Sequence, residues 1–150
     1  MIFTTNGPSE TEDVGRLLAE KLDTARHSSA FIALRGEMGV GKTAFTRGFA
    51  SHFGISSVKS PTYTIVNEYR GSASIFHFDM YRVGSEDDLY SIGFDDYIER
   101  DGYCIAEWSE NISEFLPDSV IYVTISRSEG SVDKRNIEII LDKEYEDISI

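Results

Sequence analysis

The chain has 150 residues, 41% of them hydrophobic and 12% aromatic. That composition fits an ordinary soluble globular chain, long enough to bury a proper core as one domain spanning 1–150. Fourteen basic against twenty-six acidic residues leave a formal net charge of −12, a field that opposes direct binding to nucleic acid or anionic membrane, both of which call for a clustered basic footprint. The single cysteine, Cys104, excludes an intrachain disulfide and points to a reducing compartment.

Met1 to Pro8 has neither a basic start nor a long apolar run, so no signal peptide is expected. No window approaches the roughly 18 apolar residues of a membrane span, and the expected location is the cytoplasm. Ile2-Phe3-Thr4-Thr5 reads as a short strand and Asn6-Gly7-Pro8 as a turn. Ser9 or Thr11 is placed to cap a helix running to about Ala25, with Glu10, Glu12 and Asp13 in its first turn. Val14, Leu17, Leu18 and Leu22 form its apolar stripe.

Phe31-Ile32-Ala33-Leu34 is a continuous apolar run, as a strand buried on both faces should be. It leads into Gly36-Glu37-Met38-Gly39-Val40-Gly41-Lys42-Thr43, which matches the phosphate-loop pattern G-x-x-x-x-G-K-[ST] at every fixed position. Ala44, Phe45, Phe49 and Phe53 then recur at near-helical spacing, and Gly54 is a natural stop. Strand, glycine loop and helix thus follow in the order a triphosphate site requires. Gly36, Gly39 and Gly41 let the backbone turn several N–H groups toward a phosphate, aided by the positive end of the helix. Lys42 would reach the β- and γ-phosphates, and the Thr43 hydroxyl would ligate Mg²⁺.

Beyond Gly54 the chain is loop-like to Pro61. Tyr63 to Tyr69 and Ser74 to Phe78 read as strands, and the short turn between them permits only an antiparallel hairpin. The sheet is therefore expected to be mixed. A short helix begins in Ser85-Glu86-Asp87-Asp88 and breaks at Gly93 before Phe94 to Ile98. Tyr103-Cys104-Ile105-Ala106 is another buried strand, Ser109 to Phe115 a helical turn, and Val120 to Ile125 with Asn136 to Leu141 a closing antiparallel pair. Lys143 to Ile150 reads as a weakly held acidic tail.

A phosphate loop needs carboxylates to hold a metal and orient water. Two strands end in one: Asp79 follows Ile75-Phe76-His77-Phe78, and Glu107 follows Ala106. In parallel α/β sheets ligands bind beyond the carboxyl ends of the strands, so both acids reach the loop's rim if their strands run parallel to the loop strand. Trp108, the only tryptophan, stands beside Glu107 and could stack a base or a partner residue. Thr62 and Thr64 occupy the position of a switch segment. Arg82 could neutralise phosphate charge or pair with the acids at 86–88. His27, His52 and His77 lack zinc-ligand spacing with Cys104, no Gly-x-Ser-x-Gly elbow occurs, and no Asn-Lys-x-Asp or Thr-Lys-x-Asp motif reads guanine. Adenine is the default base.

Taken together, GEMGVGKT at 36–43, VKSPTYT at 58–64, HFDMYR at 77–82, GFDDYI at 93–98 and CIAEW at 104–108 resemble the bacterial TsaE (YjeE) family. The resemblance implies a three-layer α/β fold with a mixed, mostly parallel sheet, binding of ATP and Mg²⁺, and slow hydrolysis. It also implies a role in forming threonylcarbamoyladenosine at position 37 of ANN-decoding tRNAs. On matching positions it gives Lys42 and Thr43 to phosphate and metal, Asp79 and Glu107 to metal coordination or water activation, and a functional role to Trp108. Glu37, Met38, Gly39, Val40 and Gly41 fall in the nucleotide loop, with Thr11 on the helix that approaches it. The family docks on the TsaB–TsaD pair, so tRNA contact would come through those partners. A small-metabolite kinase and a nucleotide-binding module without hydrolysis are the competing readings.

Overall fold

In the computed structural model, which describes residues 1–61 and 65–150, the apolar runs of the sequence become strands of one sheet. The strands are β1 (Ile2–Thr5), β2 (Ser29–Arg35), β3 (Val66–Arg70), β4 (Ser74–Asp79), β5 (Gly102–Glu107), β6 (Ile121–Arg127) and β7 (Arg135–Ile140). The helices are α1 (Pro8–Thr24), α2 (Lys42–His52), α3 (Glu86–Ile92) and α4 (Phe94–Glu99). Spatial order is β1-β7-β6-β2-β5-β4-β3. The central strands β6, β2, β5 and β4 are mutually parallel, while β3 joins β4, and β7 joins both β6 and β1, antiparallel.

Burial explains this order. Every residue of β5 is buried, which only a central strand covered on both faces can achieve. Tyr103 and Ile105 point into a core under α1 and α2, with Leu18, Leu22, Phe45 and Phe49. Cys104 and Ala106 point the other way, into a core under α3 and α4, with Leu89 and Phe94. The architecture is a three-layer α/β fold, as expected.

Three expectations are corrected or fall outside what is described. First, α1 starts at Pro8, with Gly7 at the N-cap position and no side-chain cap. Proline's fixed φ suits the first helical position, so Ser9 and Thr11 lie inside the helix rather than capping it. Glu10 instead reaches back to the Asn6 backbone N–H at 2.6 Å. Second, the tail is held: Tyr145 and Ile148 are buried, and Asp147 sits 2.7 Å from the ring of His27. Its apolar residues, Tyr145, Ile148 and Ile150, are too few and too unevenly spaced to show as a periodic element. Third, the hairpin forms, but its first strand is described only from Val66, and residues 62–64 lie outside the described chain.

Candidate functional site

Gly41 closes the loop between β2 and α2 with φ 118°, a left-handed conformation that costs glycine little. It is the N-cap of α2, which has neither a side-chain cap nor an acidic residue in its first turn. The positive end of α2 is therefore left to face whatever occupies the loop. Lys42 follows, only 7% exposed. Its ammonium donates to the Gly36 carbonyl at 2.7 Å, lies 3.8 Å from Glu107 Oε1, and stands 4.8 Å from the centre of the Trp108 ring.

Strand register brings the acids there. Asp79 of β4 is the partner of Glu107 on β5, and Glu107 is the partner of Leu34 on β2. Partnered residues on parallel strands share a face, so both carboxylates project on the α2 side, one and two strands from the loop strand. Lys42, Thr43, Asp79, Glu107, Trp108 and Met38 line one cavity of about 400 Å³, together with Gly39 and Gly41. Asp79 also accepts from the Tyr81 backbone N–H at 3.0 Å, which orients its carboxylate. Trp108 adopts φ 57°, a strained conformation for a bulky side chain. It swings the indole over Lys42, with Tyr81 edge-on to it at 5.1 Å.

The remaining candidates divide. Thr11 is buried, its hydroxyl 3.0 Å from that of Thr5. It lines not the main cavity but a neighbouring recess of about 150 Å³ shared with Gly39, Val40, Gly41 and Arg135. Glu37 turns outward to Arg127 at 2.9 Å, so only its backbone belongs to the loop. Val40 packs inward, and its carbonyl accepts from Arg135 Nε at 2.9 Å. Thr62 and Thr64 lie outside the described residues. Arg82 is exposed, outside the cavity walls, and makes no ion pair with the acids at 86–88 among the described residues.

Several participants escaped the sequence. His77 is fully buried with Nε2 2.6 Å from Glu107 Oε2. Ser60 places its hydroxyl 3.1 Å from that of Thr43. Arg127 and Arg135 come from the β6–β7 hairpin, more than 80 residues away in the chain from the loop they brace. The one available hint was the spacing of His77 two positions before Asp79, which puts both on one face of a strand.

Among the described residues no group of three or more His, Cys, Asp and Glu could hold a metal alone. Mg²⁺ does not need one: it keeps several waters and takes one or two carboxylates plus phosphate oxygens. Thr43 and Asp79, which line the same cavity, fit that donor set. The arrangement can bind a polyphosphate through amides and an ammonium, and a hard cation through a hydroxyl and a carboxylate.

A family model described as "Threonylcarbamoyl adenosine biosynthesis protein TsaE" matches residues 5–137. A tRNA threonylcarbamoyladenosine biosynthesis protein TsaE from Haemophilus influenzae is 40% identical over 131 residues, covering 84% of this chain and 80% of that protein. The protein of the same name from Bacillus subtilis is 37% identical over 128 residues, covering 84% and 77%. The crystal structure of Bacillus subtilis YdiB superposes with a TM-score of 0.77 at 32% identity, covering 97% of this chain and 88% of that one. Loop, partnered strand-end acids and overhanging indole thus sit in a chain that matches TsaE proteins through nearly its whole length, and the chain belongs to the TsaE family.

Proposed function

We propose that the chain is a Mg²⁺-dependent ATPase that supports threonylcarbamoyladenosine formation at position 37 of ANN-decoding tRNAs. It does so in the cytoplasm by docking on the TsaB–TsaD pair, and it meets tRNA only through those partners. The single observation that carries the nucleotide reading is the convergence of Lys42, Thr43, Asp79 and Glu107 on one cavity at the start of an uncapped helix. The relatives' names carry the pathway.

In this reading the loop amides and Lys42 hold the β- and γ-phosphates, and the base and ribose reach toward the recess of Thr11 and Arg135. Thr43 and Asp79 would hold Mg²⁺, which supplies charge neutralisation on the phosphates. Glu107 orients the attacking water and accepts its proton. Lys42, held between the Gly36 carbonyl, Glu107 and the indole, lies ready to exchange those contacts for phosphate oxygens. Trp108 covers the phosphates and limits water entry.

Calorimetry with ATP and Mg²⁺ tests this directly. The unchanged protein takes up one ATP, and Lys42→Ala weakens uptake by about 100-fold, the loss of one charge-assisted phosphate contact. In a reconstituted tRNA modification assay, omission of the chain or of ATP stops turnover. No ATP uptake in the presence of the metal defeats the proposal. A phosphorylated product from a metabolite panel would favour the kinase reading, although no arginine lines the cavity among the described residues. Unimpaired modification by Glu107→Ala would favour a binding module without hydrolysis.

A further inference from the structure

We infer that His77 is the positioning residue for Glu107, locking the rotation of its carboxylate toward the phosphate loop. The inference rests on the ATPase reading above and assigns a role to a side chain outside the cavity.

Three observations carry it. His77 sits on β4 two residues before Asp79 and is the register partner of Ile105, two residues before Glu107 on β5. The imidazole and the Glu107 carboxylate are therefore diagonal neighbours on one sheet face. They meet at 2.6 Å, Nε2 to Oε2. A carboxylate oxygen accepts, so Nε2 carries the hydrogen and donates it. The ring is fully buried, in a layer with Ile75 and Ile105, and its Nδ1 has no hydrogen-bond partner among the described residues.

The unpartnered nitrogen separates positioning from packing. A buried polar atom without a partner is destabilising, and an apolar side chain of similar volume would fill this layer without that cost. Among the described residues the one polar contact the imidazole makes is with Glu107. That contact occupies Oε2 and leaves Oε1 as the oxygen turned toward Lys42, 3.8 Å away. Without the imidazole the carboxylate is free to rotate about its terminal torsion, which has broad, shallow wells. A water held by Glu107 would lose its fixed direction.

The test compares His77→Asn with His77→Gln, each alone and combined with Glu107→Gln. Both replacements are polar and smaller than imidazole, but only glutamine carries an N–H donor far enough out to replace Nε2. ATP uptake, read by calorimetry, verifies that each variant folds and binds. His77→Asn is expected to lower kcat about 10- to 100-fold, the usual effect of removing a supporting partner, with ATP affinity within about threefold of the unchanged protein. His77→Gln recovers most of the rate, and in the Glu107→Gln background the two become equal. Wild-type turnover by His77→Asn overturns the inference, as does a difference between the two variants that persists in the Glu107→Gln background. A second measurement needs no change at His77. The ring's nitrogen NMR signals should report the Nε2–H tautomer in the unchanged protein, and an Nδ1–H tautomer there overturns the inference as well. Failure of the unchanged protein to bind ATP would instead remove the ATPase reading on which it rests.

Discussion

Glu107 has both carboxylate oxygens committed, one toward an ammonium and one to an imidazole, at 7% exposure. Asp79 is half-buried, and among the described residues its carboxylate takes only the Tyr81 N–H. The two acids are thus unlike: Asp79 is open to take a metal, whereas Glu107 is held in one orientation, as a group that aims a water must be. Substitution should separate them. Glu107→Gln keeps the shape and a carbonyl acceptor while removing the basic oxygen. Turnover should fall by about 100-fold or more, the usual worth of a positioned base, while ATP affinity stays within a few-fold. Asp79→Asn should raise the Mg²⁺ concentration needed for half-maximal ATP uptake. The single tryptophan lies against Lys42, so its fluorescence should change on ATP addition and report both titrations. Equal effects of the two substitutions on metal dependence would contradict this division.

The phosphate loop was legible from its fixed glycine and lysine spacing, and its flanking elements from apolar period, because strand, turn and helix each announce themselves within a few residues. Asp79 and Glu107 were legible for the same reason, as acids ending apolar runs. What sequence could not supply was pairing across strands. The His77 contact depends on β4 lying beside β5 in one register, and Arg135 reaches Val40 only because β7 folds back next to β6. The close approach of α1 and α2 was equally hidden. A Cβ on Gly48 would run into the Glu12 carbonyl, and one on Gly15 into that of Phe45. Both blockers are backbone, so no side chain can yield. Gly48→Ala should gain some helix propensity and still destabilise by about 2 kcal/mol, as overpacked sites do. For a domain of this size that lowers Tm by about 4–8 °C. Since α2 opens with Lys42, the same change should weaken ATP uptake; an unaltered Tm would show that the helices separate freely.

Across the whole molecule acidic residues outnumber basic ones, for a formal net charge of −12, and several arginines are balanced locally. Arg16, Arg47, Arg70, Arg100 and Arg127 each pair with a carboxylate. Arg100 also holds the Glu68 carboxyl below its usual range through a direct hydrogen bond. No helix among the described residues is long and apolar enough to cross a membrane. The interior carries a different electrostatic signature. Burial pushes the Cys104 thiol up to about 12 from an ordinary 9.0. Burial first, then nearby carboxylates or a second phenol, pushes Tyr103 and Tyr145 up to about 12 from 10.0. All three are acids whose neutral form is favoured in the folded state. Above pH 9 the unfolded chain sheds the thiol proton and above pH 10 the phenol protons, while the folded chain keeps them until about pH 12. The folded state then binds more protons than the unfolded, so stability must fall as pH rises through that window. Denaturant unfolding at successive pH values should show a flat region below about 9, a decline that steepens past 10, and a levelling near 12. Cys104→Ala removes the earliest ionisation and should delay the onset by about one pH unit, the gap between the unfolded thiol and phenol values. A stability constant from pH 8 to 11 would mean that these side chains ionise as readily inside the core as in the unfolded chain.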